Sequence, residues 1–211
     1  HFIFIFSLMN NYVYALDIGA NETSNLTSNS TTLQKFTGAN ATVNISNSAT
    51  LERANQPVLV NEQSGGTVTV ESGSTISATV ANTIQGIDSA NLTVTNSGTI
   101  QAGTSKAINL TDNEGARVTN NAGGIIKSDT NTISLSENDE DVVDDIIITN
   151  HGTIFATDNS DTSGHNVIKS SDGVTNLTIN NEKGGHIYHG ADKAVILLGG
   201  DATFNNSGKI E

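Results

Sequence analysis

The chain has 211 residues, with 9 Lys or Arg against 22 Asp or Glu, for a formal net charge of −13. Only 35% of its residues are hydrophobic and 4% aromatic, with 1 Pro, 1 Met, no Cys and no Trp. That balance excludes the basic stripe a nucleic-acid partner requires, disfavours an anionic membrane surface, and rules out disulfide or thiolate–metal frameworks. Polar, acidic chains of this kind often bury too little apolar surface to fold. The placement of the aliphatic residues therefore decides between disorder and structure.

Residues 1–15 open with His1-Phe2-Ile3-Phe4-Ile5-Phe6 and close with Val13-Tyr14-Ala15. A short apolar run ending in Val-x-Ala fits the hydrophobic stretch and cleavage site of a secretory signal. The run lacks a charged leader and an initiator Met, so it is expected to be a truncated signal peptide. It is too short to predict a membrane span. Residues 16–39 are polar and are expected to form a linker or an N-terminal capping region.

From residue 40 a repeat is legible: apolar-x-apolar-x-Asn-x-Gly-x-Ile. It is cleanest at Leu92-Thr93-Val94-Thr95-Asn96-Ser97-Gly98-Thr99-Ile100, at Ile146–Ile154 and at Ala202–Ile210. Copies with insertions run Val118–Ile125 and Leu177–Ile187, and weaker ones Val43–Leu51 and Val68–Ile76. The closing aliphatics are read as Leu51, Ile76, Ile100, Ile125, Ile154, Ile187 and Ile210, a period in the range of solenoid repeats. Alternation such as Val-Thr-Val predicts a strand with one buried face, and Asn-x-Gly predicts a sharp bend after it. A third apolar pair follows most copies: Val58 and Val60, Ile108 and Leu110, Ile133 and Leu135, Val195 and Leu197. Three short strands per turn predict an all-β fold, a right-handed single-stranded parallel β-helix of about seven rungs over residues 40–211. No rung buries its aliphatics alone; stacked rungs share one core.

The bend asparagines are read as Asn47, Asn96, Asn120, Asn150, Asn181 and Asn206, with Ser72 the exception. Stacked at one corner they would form an amide ladder; each would also suit its own turn, and the two readings are compatible. Insertions should project as loops. The two candidates are 137–145, with Glu137, Asp139, Glu140, Asp141, Asp144 and Asp145, and 158–165, with Asp158 and Asp161. Both are expected to make contacts.

The segments TVTNSGTI, IITNHGTI and FNNSGKI resemble the β-helical repeats of autotransporter passenger domains, bacterial proteins of type V secretion, over about residues 40–211. The resemblance implies export to the bacterial outer membrane, cell surface or medium, and a structural stalk that acts as an adhesin toward a host-cell or surface receptor. It also implies attachment only through a C-terminal outer-membrane β-barrel. No barrel repeat follows within 211 residues, so the chain is expected to be truncated at both ends or to be the remnant of a disrupted gene.

Catalytic, cofactor and metal residues are expected to be none. There is no phosphate loop with Lys and no Gly-x-Ser-x-Gly segment. His186-x-x-His189 fits a solvated turn better than a metal site, because no carboxylate pattern flanks it. The run 137–145 lacks the spaced ligands of a Ca²⁺ loop. The alternative is a polysaccharide-processing, lyase-like β-helix enzyme, but the only two Arg, Arg53 and Arg117, stand several rungs apart. Thr67-x-Thr69 and Thr93-x-Thr95 suggest an ice-binding face, although the pattern is not in every rung.

Overall fold

A computed structural model describes residues 15–137, 145–157, 165–191 and 195–211, and every regular element among them is a β-strand. The chain winds through eight coils, and all but the first feed one strand into each of three parallel sheets, of eight, eight and seven strands. Coil 1 supplies Ala15–Ile18 and Thr23–Leu26, with a single bridge from Ser30 to Leu51 where a third strand would lie. Coil 2 is Leu33–Phe36, Thr42–Ile45 and Thr50–Arg53; coil 3 is Leu59–Asn61, Thr67–Val70 and Thr75–Ala78. Coil 4 is Ile84–Ala90, Thr93–Asn96 and Thr99–Ala102; coil 5 is Ile108–Glu114, Arg117–Asn120 and Ile125–Ser128. Coil 6 is Ile133–Ser136, Ile147–Asn150 and Thr153–Ala156; coil 7 is Ile168–Ser170, Leu177–Asn181 and His186–His189. Coil 8 is Ile196–Leu197, Ala202–Asn206 and Lys209–Ile210. Eight coils at the inter-strand spacing make a rod about 34 Å long.

This is the parallel β-helix that the repeat predicts, with eight coils in place of about seven. The difference lies in residues 16–39, which supply most of the first coil and the first strand of the second. Thr23 to Leu26 pair residue for residue with Thr42 to Ile45. The apolar signal is faint there because Thr-Ser-Asn-Leu carries only one aliphatic side chain.

Alternation builds the interior. In Thr67–Val70 the two Val are fully buried and the two Thr face outward. The same register stacks Val43, Val68, Val94, Val118, Ile148 and Ile179 in the second sheet. In the third sheet it stacks Leu51, Ile76, Ile100, Ile126, Ile154 and Ile187. Removing each such side chain from water contributes roughly 1.5–3 kcal/mol before the cost of ordering the chain. A thin core suffices because every coil places its few aliphatics in the same columns.

Three register assignments differ from the sequence reading, and each moves side chains to the other face. The closing aliphatic of coil 5 is Ile126, which pairs with Ile100 and Ile154, while Ile125 faces outward beside Thr99 and Thr153. The Asn121–Gly124 turn holds two more residues than the tightest bends, not one. In coil 3 the inward pair is Leu59 and Asn61, so Val60 faces outward. In coil 8 Ile196 pairs with Ile168, leaving Leu197 48% exposed.

Between the first and second sheets, the residue two places before the paired strand position has a positive φ in seven consecutive coils. These are Asn21, Asn40, Gly65, Asn91, Gly115, Asp145 and Asn176. Asn, Asp and Gly are the residues that enter the left-handed region most readily. This column sets the first corner of the rod.

Candidate functional site

The second corner, between the second and third sheets, carries the main polar feature of the interior. Asn96, Asn120, Asn150, Asn181 and Asn206 end successive second-sheet strands and pair directly across the ladder. Each Nδ2 donates to the Oδ1 one coil further on. The distances are 2.8 Å from Asn96 to Asn120, 2.8 Å from Asn120 to Asn150, 2.9 Å from Asn150 to Asn181 and 2.8 Å from Asn181 to Asn206. The same Nδ2 groups reach carbonyls of the next coil, at Ile125, Thr153, His186 and Lys209. Asn96, Asn120 and Asn150 are completely buried, so each amide replaces water with these partners.

Asn47 stands outside this column. The residues in register with Asn96 are Val70 and, one coil earlier, Ile45. Asn47 and Ser48 instead have φ of 54° and 59°, at the centre of a turn closed by Ala49 N–H donating to Ser46 C=O at 3.0 Å. Positive φ at both central positions is the pattern of a type I′ turn, which Asn suits. Ser72 is likewise a turn residue, and Val70 and Ile45 take the column position in coils 3 and 2.

The second corners come in two lengths. Four residues connect the strands at 46–49, 71–74, 121–124 and 182–185, and two connect them at 97–98, 151–152 and 207–208. From coil 3 to coil 8 long and short alternate. In three long corners the third residue is Gly73, Gly123 or Gly184, with φ of 80°, 83° and 92°, as a type II turn requires. The short corners need Gly for room: a Cβ on Gly152 would lie 2.3 Å from Gly124 O and 2.5 Å from Asn121 O. Gly98 and Gly208 sit equally close to the carbonyls that open and close the long turn of the preceding coil. Each short corner therefore nests on a long one.

Of the expected contact residues, Asp139, Glu140, Asp141, Asp144, Asp158 and Asp161 lie outside the described residues. Glu137 and Asp145 are described. The Glu137 N–H donates to Ser171 Oγ at 3.2 Å. Asp145 is the left-handed residue of the first corner, and its carbonyl accepts from Arg117 Nη1. It thus belongs to the frame of the coil.

His186 and His189 stand on opposite faces of one strand: His186 points outward, whereas His189 is buried and accepts the Ala191 N–H at Nδ1, 3.1 Å away. That geometry keeps them from sharing one ion, and no cluster of three or more His, Cys, Asp or Glu that could hold a metal occurs among the described residues. His186 Nε2 lies 3.0 Å from Glu211, and its ring stacks on Tyr188, which stacks in turn on Phe155 with centroids 4.8 Å apart. Lys209 and His186 hold the Glu211 carboxyl below its ordinary range. On the second sheet Thr69, Thr95, Thr119 and Thr149 form an unbroken outward column, while Arg117 and Ile147 interrupt the column beside it.

Two features were missed in the sequence: the left-handed first corner and the pairing of long with short second corners. The first is visible as Asn, Asp or Gly two residues before the paired position of the second-sheet strand in coils 1 to 7. The second is visible as Asn-x-Gly alternating with longer, Gly-containing corners. In comparisons with known proteins, no family model, no curated protein and no solved structure matches this chain.

Proposed function

We propose that this chain is a non-catalytic passenger segment of autotransporter type, surface-exposed or secreted, serving as a stalk and an adhesin. The observation that supports it most is the unbroken register of the coil across both insertions. Strands before and after 137–145 and 158–165 pair with the same neighbouring columns as every other coil. A scaffold that accommodates acidic insertions at its corners without a change of register suits the display of contact loops. Six carboxylates in the first insertion favour a basic or polar receptor surface and a contact that weakens with salt. Anchoring would come from a β-barrel beyond residues 1–211.

The test replaces 138–144 and 158–164 by short Gly-Ser links. Circular dichroism of the variant should match the intact protein, and binding to host cells should be lost. A folded variant that binds as well as the intact protein overturns the adhesin assignment. Turnover of a polyuronate, with or without Ca²⁺, overturns the non-catalytic assignment and favours the lyase-like alternative.

A further inference from the structure

Arg53 is the one buried cation among the described residues, and it has no carboxylate partner. It ends the first strand of the third sheet and points inward, in a column continued by Ala78, Ala102, Ser128 and Ala156. Coils 3 to 6 place a small side chain there, and coil 7 places His189. Arg53 fits because coil 1 contributes only the Ser30 bridge beneath it. The missing strand leaves a cleft of about 590 Å³ lined by Thr31, Glu52, Arg53, Ala54, Asn55 and Gln56.

The side chain is 9% exposed. Nη2 donates to Gln56 Oε1 at 2.9 Å, while Nη1 is shielded from solvent and makes no hydrogen bond. A buried charge without a counter-charge is strongly unfavourable. Residues 1–14 bring none, since they contain no Asp or Glu. Burial lowers the Arg53 pKa, yet a guanidinium stays protonated at neutral pH.

We propose that this cleft binds a carboxylate group carried on a small hydroxylated molecule, an acidic sugar in chemical class. A guanidinium fork matches the two oxygens of a planar carboxylate, and an incoming carboxylate supplies the acceptor that Nη1 lacks as the fork turns to meet it. The Thr31 hydroxyl and the Asn55 and Gln56 amides offer uncharged donors and acceptors suited to sugar hydroxyls. Glu52 on the cleft wall repels multiply charged anions and so favours a single carboxylate over sulfate or phosphate. The cleft lies on coil 2, whereas the acidic insertions belong to coils 6 and 7, so this site stands or falls separately from the adhesin reading.

The full chain is titrated with sodium glucuronate, glucose and sodium sulfate at fixed ionic strength, followed by calorimetry and by amide shifts of residues 52–56. Glucuronate should bind saturably, glucose should not, and sulfate should bind at least tenfold more weakly. Arg53→Gln and Arg53→Met should abolish binding, and Arg53→Lys should weaken it. Without ligand, the Gln and Met variants should melt no lower than the parent, since no native ion pair is lost; glucuronate should raise the midpoint of the parent alone. The proposal is overturned by an absence of saturable glucuronate binding, by binding that survives in either variant, by equal response to glucose, or by sulfate competing on equal terms.

Discussion

Coils 2 and 3 and coils 5 and 7 solve the same corner with different chemistry. All four use a four-residue turn closed by a backbone bond between its ends, at 3.0 Å for Ala49 to Ser46 and Ser74 to Glu71, 2.9 Å for Gly124 to Asn121 and 2.8 Å for Gly185 to Glu182. In the earlier pair the column residue is aliphatic, Ile45 or Val70, and the turn ends in Ala49 or Ser74. In the later pair the column residue is Asn120 or Asn181, and the turn ends in Gly124 or Gly185. A Cβ on either glycine would lie 2.5 Å from the Oδ1 of its own column Asn, and 2.7 Å or 2.4 Å from the backbone carbonyl of Asn96 or Asn150 in the coil beneath. Asparagine and glycine therefore form one choice, and an aliphatic residue with a Cβ-bearing turn end forms the other. Either fills the corner; a mixture of the two does not.

This contrast is open to direct attack. The largest effect is expected where no side chain can yield: Gly152→Ala drives a methyl into two backbone carbonyls and should cost about 3 kcal/mol in urea unfolding. Asn120→Val should follow at about 2 kcal/mol, because it takes one buried partner each from the Asn96 Nδ2 and the Asn150 Oδ1, which keep only their bonds to backbone groups such as Ile125 C=O and Gly152 N–H. Gly124→Ala should be damaging in both backgrounds, because the Asn96 carbonyl 2.7 Å from the added Cβ remains, but less so in the Asn120→Val background, where the Oδ1 contact is gone. A double-mutant cycle should read a coupling of about 1–2 kcal/mol, and additivity would refute the linked choice. In the reverse direction Val70→Asn alone should destabilise coil 3, and adding Ser74→Gly should recover most of the loss, to within about 1 kcal/mol of the parent. The smallest effect sits at coil 8. Glu211 has a depressed folded pKa, so its contribution is complete above the ordinary value of 4.5 and is lost as pH falls through the lower folded value. Glu211→Gln should remove that acid-side loss, read as amide exchange of Lys209–Ile210, with little change at neutral pH.

Much of this architecture is legible in the sequence because a solenoid repeats its own evidence. Val94, Val118, Ile148 and Ile179 recur at one place in the motif, and periodicity averages away local ambiguity. Reading fails where turn length varies. A single Asn-x-Gly frame misplaces Asn47 and Ser72, since the column residue there is Ile45 or Val70 and the polar residues two places later belong to the turn. It also shifts Ile125 by one, because the corner holds two extra residues where the motif suggests one, and that one-residue slip reverses which of two adjacent isoleucines faces inward. Coil 1 escapes notice for a different reason. Its strands draw register from the coil above more than from their own hydrophobic pattern. The Arg53 cleft has no motif at all: it follows from a strand that coil 1 does not form.

The alternation of long and short corners gives the rod a rule of succession. A coil with a short corner needs a long corner beneath it, whereas long on long is tolerated, as coils 2 and 3 show. Loss of coil 5 alone would bring Gly152 down onto Gly98, short against short, with no turn carbonyls to nest between and no matching Gly124. Loss of coils 5 and 6 together would set coil 7, a long corner, on coil 4, a short one, and restore the order. Lengthening or shortening of such a rod over generations should therefore spare the long coil beneath each short one: a short-corner coil can be lost singly, but a long-corner coil that carries a short one can be lost only together with it.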